Sequence, residues 1–387
     1  MKKKRAPKSN GNGQSNGNGS EGVIRKMLKK HHSPLMLISR DALKRQFQLF
    51  KRYFSNVTPY YAIKANPHPE IIKTFIKLGT GFDVASAAEM KLVLDLGASP
   101  DKIIFANTIK SNADIAWSYK HKVKFMTFDN EAELYKIAKH CPGASVLARI
   151  KVDNVGSKVE LSLKFGADPD QAIFLLNKAR QLGLKPAGVA FHVGSQCINV
   201  ENYLKALDIT ASIFHRAEDM GLELDTVDIG GGFPIRHFDH DGHVTIKDIA
   251  KHIRKKMRRL FDKKTKFIAE PGRFFAGPAG LLVTQVVGRT FRNNKNYYYL
   301  NDGVYADFSG LIFDHCRYEF KTLRRGQKFL SALAGPTCDS FDTISLNEDL
   351  PELEVGNVVY VKNIGAYSCA SAVPAFNGFS PARILMV

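Results

Sequence analysis

The sequence predicts an α/β chain in which a (β/α)8 TIM barrel is followed by a mostly β domain. Between residues 58 and 269, short apolar or β-branched runs alternate with helix-patterned stretches. That is the rhythm of parallel strands joined by helical crossovers. Past residue 275 the helical period fades and strand-like runs take over. A doubly wound open sheet gives the same alternation but usually has fewer units. The 387 residues exceed one typical domain, and 44% hydrophobic residues suffice for a large core.

Taken in order, residues 1–22 are Lys, Asn, Gly and Ser without periodicity and predict a disordered basic tail. Pro34–Ser39 reads as a strand that joins the β domain. The barrel is expected over residues 33–275. Its strands fall near 58–63, 81–84, 103–105, 124–128, 145–150, 187–192, 224–228 and 266–269. Helices are expected between them, among others over Pro69–Leu78, Ala87–Leu96, Asn130–Lys139, Pro169–Leu182 and Val200–Met220. The β domain is expected over residues 276–387, with strands at Leu281–Val287, Tyr297–Asn301, Lys328–Ala332 and Val358–Val361.

The net charge of +19 is concentrated in the first thirty residues and in the helix-like run Lys251–Arg259. A basic surface can attract nucleic acid or anionic membrane, or simply be a solvated face. No zinc-knuckle spacing, RNA-reading aromatic run or long apolar stretch accompanies it. Neither a nucleic acid nor a membrane partner is therefore expected. The basic N-terminus lacks the apolar stretch of a secretory signal. Cys141, Cys197, Cys316, Cys338 and Cys369 are odd in number and scattered. They predict reduced thiols in a cytoplasmic protein, with no disulfide scaffold and no metal site.

Chemistry-bearing residues cluster at the carboxyl ends of the expected strands, where barrels carry function. Lys64 closes the first strand, in Tyr60-Tyr61-Ala62-Ile63-Lys64-Ala65-Asn66-Pro67. Lysine is seldom buried because desolvating its charge is costly. Burial is expected to lower its pKa, leaving a neutral amine that can condense with a carbonyl cofactor. Asp83 and Glu89 flank the second strand and Arg149 ends the fifth. His192, Gly194 and Ser195 follow the sixth, Asp228-Ile229-Gly230-Gly231-Gly232 the seventh, and Glu270-Pro271-Gly272-Arg273 the eighth. The glycines, Ser195 and Arg273 suit a phosphate cradle, because bare backbone N–H groups approach an anion closely. Each residue alone has an ordinary structural reading. Together they match pyridoxal phosphate, with a lysine for the carbonyl, a carboxylate for the ring nitrogen and an imidazole to stack on the ring.

With these motifs in this order, the chain resembles the fold-type III pyridoxal phosphate decarboxylases. That group includes ornithine, arginine and diaminopimelate decarboxylases and is related to alanine racemase. The resemblance covers roughly residues 33–385. It extends to Gly335-Pro336-Thr337-Cys338-Asp339, Gly365-Ala366-Tyr367 and Phe376-Asn377-Gly378-Phe379. It implies a homodimer with shared active sites, in which Cys338 and Asp339 serve the partner's lysine. It further implies that Lys64, Glu270, His192 and Cys338 are catalytic. Asp83, Arg149, Ser195, Gly231, Gly232, Gly272, Arg273 and Tyr367 would hold the cofactor.

The segment Leu311-Ile312-Phe313-Asp314-His315 is similar to one that, in ornithine decarboxylases, presents an aspartate to the distal ammonium of the substrate. The resemblance therefore implies that Asp314, with Asp339, Phe313 and Phe376, binds a basic amino acid and that ornithine is decarboxylated to putrescine. Lysine is one methylene longer, a difference typically worth only about 10–200-fold, so secondary lysine activity is expected. Lysine, arginine or diaminopimelate as main substrate, racemisation and a non-catalytic regulatory role are the alternatives on this fold. The Cys338-Asp339 pair points away from racemisation.

Overall fold

A computed structural model of the chain describes residues 16–154, 164–238, 244–373 and 375–387. Strand β1 (Leu35–Ile38) precedes eight parallel strands that close into a barrel. These are β2 (Val57–Ala62), β3 (Gly81–Val84), β4 (Ile103–Phe105), β5 (Phe125–Phe128), β6 (Ser145–Arg149), β7 (Lys185–Ala190), β8 (Thr226–Asp228) and β9 (Lys266–Ala269). Closure comes from β2 on β9, with Val57 opposite Phe267. All eight runs expected from the sequence are barrel strands. Most of their residues are buried, as parallel strands covered on both faces require. Alternation sorts them: Tyr60, Ile104, Leu147 and Ile268 share the lumen, while Tyr61 turns outward onto Phe75.

The second unit is a sheet of β1 with β10 (Gly280–Arg292), β11 (Lys295–Leu300), β12 (Phe320–Thr322), β13 (Lys328–Ala334), β14 (Thr343–Pro351), β15 (Val358–Lys362) and β16 (Arg383–Met386). β1 lies antiparallel to β10 and parallel to β16, so the segment before the barrel does join this sheet. The strands β12, β14 and β16 were not among the expected ones. They are short, charged or terminal, and their pairing partners hold them.

The expected tail needs correction, because a helix spans Asn16–Leu28 and overlaps residues 16–22. Asn and Gly are poor helix formers. Here tertiary packing overrides propensity: Ile24 is fully buried against Leu35, Leu37, Val283 and Tyr360. No described helix is long and apolar enough to cross a membrane.

Asp302 and Asp307 lie buried side by side in the second unit, where the Asp307 amide donates to Asp302 Oδ1 at 3.0 Å. Burial, then mutual repulsion, pushes the Asp302 carboxyl well above its ordinary range, so the pair holds a proton between them. A carboxyl whose folded pKa is raised costs nothing below its unfolded pKa. It destabilises the fold increasingly as pH rises toward the folded value. Asp302→Asn keeps a donor toward Asp307 without the second charge. It should raise stability at pH 8 by about 1 kcal/mol, roughly 2 °C in Tm, and by less at pH 5. Equal melting shifts at both pH values in calorimetry would show that no proton is shared.

Candidate active site

The carboxyl ends of the barrel strands open into a cavity of about 440 Å3, the size of a cofactor site. Tyr367, Phe313 and Asp314 of the second unit complete its wall. Lys64 sits in a 3-10 turn, Ile63–Ala65, directly after β2. Three contacts fix this turn. The Tyr61 hydroxyl donates to the Asn66 carbonyl at 2.9 Å, Asn66 Nδ2 to the Gly365 carbonyl at 2.9 Å, and the Tyr367 amide to the Ala65 carbonyl at 2.9 Å.

Lys64 Nζ lies 2.9 Å from Asp83 Oδ2, at the end of β3. The sequence led us to expect a lowered lysine pKa, and the structure corrects this. The side chain is 46% exposed, opening onto the cavity, so burial penalises the ammonium less than the sequence implied, and Asp83 and Glu270 outweigh it and hold the pKa above the ordinary lysine value. Left to these groups the amine is charged, and neutralising it requires something that relieves the carboxylates.

Glu270, following β9, is pushed well above the carboxylate range by burial and then by Asp228 and Asp83. Asp228 ends β8 and accepts the Gly230 amide at 2.8 Å. Its pKa is raised too, and a proton held between it and Glu270 relieves their repulsion. His192 is the reverse case. Burial, Arg149 and Lys64 push its pKa well below the usual value, so the imidazole is neutral. Its Nδ1 accepts the Gly194 amide at 3.0 Å, which puts the ring proton on Nε2.

Glycine is required beside it. Gly230 and Gly232 have φ of +64° and +89°, and a Cβ would come within 2.2 Å of the Phe191 and Gly194 carbonyl oxygens respectively. A Cβ on Gly231 would approach His192 Nε2 to 3.1 Å. The bare turn therefore faces the cavity with its backbone. Arg273 lies beyond, buried, with Nη2 donating to Ser195 Oγ at 3.3 Å and the guanidinium 4.6 Å from the Tyr367 ring centre. Its Nε is a buried donor with no acceptor among the described residues. Arg149 lines the opposite wall over Phe165. Gly272, between Ala62 and Ala65, lines it as well.

The remaining expected residues divide. Phe313 and Asp314 line this cavity, but Asp314 Oδ2 is bound by Arg273 Nη2 in a short ion pair. Cys338, Asp339 and Phe376 do not line it. Cys338 is exposed, Asp339 accepts a short hydrogen bond from the Tyr305 hydroxyl, and Phe376 stacks on Tyr305 at 4.0 Å. Within one chain, Asp314 and Asp339 therefore do not form the paired site expected for an ammonium. Asp228 stands in the strand-end pattern, but nothing in the sequence singles it out as a site residue. Phe165 and Asn107 also line the cavity and carried no signal.

The site is thus polarised. A lysine stands between Asp83 and Glu270 on one side; glycine amides, Ser195 and Arg273, the last with a spare donor beside its Asp314 ion pair, stand on the other. This arrangement fits an aromatic aldehyde phosphate: anion donors at one end, a protonatable-nitrogen partner at the other, and a neutral flat imidazole between.

Comparison with known proteins agrees. Residues 40–277 match the family described as Pyridoxal-dependent decarboxylase, pyridoxal binding domain. The chain is 38% identical over 361 residues to a lysine/ornithine decarboxylase of Selenomonas ruminantium, covering 93% of this chain and 91% of that protein. It is 38% identical over 373 residues to an ornithine decarboxylase of Caenorhabditis elegans, covering 92% and 87%. Among solved structures, lysine/ornithine decarboxylase of Vibrio vulnificus complexed with cadaverine superposes with a TM-score of 0.90 at 33% identity, covering 95% of this chain and 98% of that one.

If Asp83 holds the Lys64 ammonium, Asp83→Asn lowers the lysine pKa. In protein stripped of cofactor, an amine-arylating reagent at pH 8 should then label Lys64 several-fold faster than in the parent, as read by peptide mapping. An unchanged rate would remove Asp83 from the charge balance.

Proposed function

The chain belongs to the pyridoxal-dependent decarboxylase family and is a pyridoxal phosphate enzyme, and from that premise we propose that it decarboxylates L-ornithine to putrescine and carbon dioxide, with lysine as a secondary substrate. The observation that carries the choice of substrate is Asp314, a carboxylate in the wall of the cavity that holds Lys64. It suits the distal ammonium of a short diamino acid. The names of the relatives, which act on ornithine or on both ornithine and lysine, support this reading.

Bound pyridoxal phosphate draws electrons from the α-carbon of its amino-acid substrate, which is what makes loss of carbon dioxide feasible. The protein's own residues do the rest. Lys64 would be the amine that holds the cofactor's carbonyl carbon. Glu270, with its raised pKa, places a proton at the ring nitrogen and keeps it there. Asp228, backed by the Gly230 amide, orients Glu270. His192, neutral, would face the ring without competing for that proton. The amides of Gly231 and Gly232, with Ser195, Arg273, Gly272 and Tyr367, would take the phosphate, while Asp83 and Arg149 set the charge around Lys64. Cys338 returns a proton to the α-carbon as general acid.

Cys338, Asp339 and Phe376 take these roles in the partner subunit's cavity, so the proposed working form is a homodimer, placed in the cytoplasm. Its support is the exposure of Cys338, whose amide is nevertheless anchored at 3.1 Å to Asn377 Oδ1.

Inactive Lys64→Ala and Cys338→Ala proteins, mixed and allowed to exchange subunits, should regain up to about a quarter of parental activity, because half the dimers then carry one intact site of two. No recovery after demonstrated exchange would place Cys338 in its own chain's chemistry or outside it. Asp314→Ala should lose roughly 30-fold or more in kcat/KM for ornithine, the cost of about 2–5 kcal/mol for an orphaned charge partner. Retained activity, or a parent that prefers arginine or diaminopimelate, rejects the substrate assignment and leaves the decarboxylase intact.

A further inference from the structure

Asp314 is held by more than Arg273. Its Oδ2 also accepts a hydrogen bond from Cys316 Sγ at 2.9 Å, while Oδ1 accepts none among the described residues. Cys316 is 3% exposed, and its sulfur in turn accepts from Arg273 Nη1 at 3.6 Å. The backbone builds this contact. Asp314 ends the one-turn helix Gly310–Phe313, His315 takes the left-handed conformation at φ +49°, and the Cys316 amide returns to the Gly310 carbonyl at 3.0 Å. The reversal at His315 folds the thiol back onto the carboxylate two residues before it. Behind it stand Tyr318 and His237, whose Nε2 lies 4.0 Å from the sulfur.

We propose that Cys316 is a positioning residue for substrate recognition. Its thiol and Arg273 together clamp one oxygen of Asp314, so that the other oxygen points into the cavity at the substrate's distal ammonium. The inference rests on the reading of Asp314 above. Its logic is rotational. A carboxylate on a chain-reversing turn has two torsions free, and Arg273 alone fixes only a pivot. When a phosphate shares Arg273, the guanidinium is divided between two anions and its hold on Asp314 weakens. The thiol is then the contact that keeps the carboxylate from swinging away from the cavity or out to solvent. A thiol is a modest donor, so its loss loosens Asp314 without emptying the site. The expected signature is a change in substrate binding and chain-length preference, with the chemical step spared.

The test uses holoenzyme. Cys316→Ala should raise KM for ornithine and the dissociation constant for putrescine, read from the cofactor absorbance, by about five- to tenfold. The value of kcat should stay within about twofold, and the ornithine-to-lysine ratio of kcat/KM should fall. Cys316→Ser, which keeps a donor, should stay within about twofold of the parent on all counts. Cys316→Val, which fills the volume without a donor, should match Cys316→Ala and stands in for it if the smaller side chain fails to fold. In an Asp314→Ala background, Cys316→Ala should add less than about twofold. Equal damage from Ser and Val, a loss confined to kcat, or full additivity with Asp314→Ala would overturn the proposal and leave Cys316 a packing residue. A silent Cys316→Ala beside a damaging Asp314→Ala sinks this inference alone. A silent Asp314→Ala sinks the substrate reading on which it rests.

Discussion

Asp83 and Glu270 crowd the Lys64 ammonium in the mouth of a barrel, with Asp228 pressed against Glu270, and most of the site follows from that crowding. Two like charges 4 Å apart repel by about 4 kcal/mol at the effective dielectric of a protein surface. Their raised pKa values leave the Asp228–Glu270 pair short of full ionisation, and the Lys64 ammonium lies against Asp83. The same crowding explains why burial does not neutralise Lys64, as simple desolvation implied. On the cationic side, burial and then Arg149 and Lys64 act on His192 in the opposite sense and keep its ring uncharged. A cofactor with a cationic ring nitrogen and an anionic phosphate meets both halves of this balance.

The second unit is part of the same machine. Backbone and side-chain hydrogen bonds from Gly365 and Tyr367 reach the turn that carries Lys64, so the lysine's position depends on residues some three hundred positions later. Tyr367 has φ +53°, an uncommon conformation for a side chain of its size, and its ring lies against Arg273. One short segment therefore sets both ends of the site, the amine and the phosphate arm.

Much of this was legible in the sequence. The barrel strands are short β-branched or aromatic runs between well-punctuated helices, and their carboxyl ends hold Lys64, Asp83, His192, the Gly230–Gly232 run and Glu270. Periodicity and strand-end position suffice for those. What could not be read was the balance between interactions. Whether burial or Asp83 decides the state of Lys64 depends on a 2.9 Å contact between residues nineteen apart in sequence. The Asn16–Leu28 helix exists because Ile24 meets a sheet made by β1 and β10, which no local propensity encodes. The pairing of Asp314 with Arg273 and Cys316 likewise joins the eighth barrel strand to a turn in another unit. The motif identified the carboxylate but not what holds it.

The residues proposed to bind the substrate stand on two kinds of surface. Asp314 and Phe313 stand in the chain's own cavity. Asp339 and Phe376 instead form a tight cluster with Tyr305 on the outside of the second unit, beside the exposed Cys338. A surface aspartate locked to a tyrosine, and a phenylalanine stacked on the same ring, are ordered more than solvent demands. Phe341, Val373 and Phe379, all within a few residues of this cluster in sequence, are exposed too. Aromatic residues are enriched at protein interfaces, and an apolar patch with a polar centre has little use while it faces water. Its order makes physical sense if a second copy of the chain covers it. The distal ammonium would then be gripped from two sides, by a carboxylate fixed within one subunit and by another delivered only when the subunits associate.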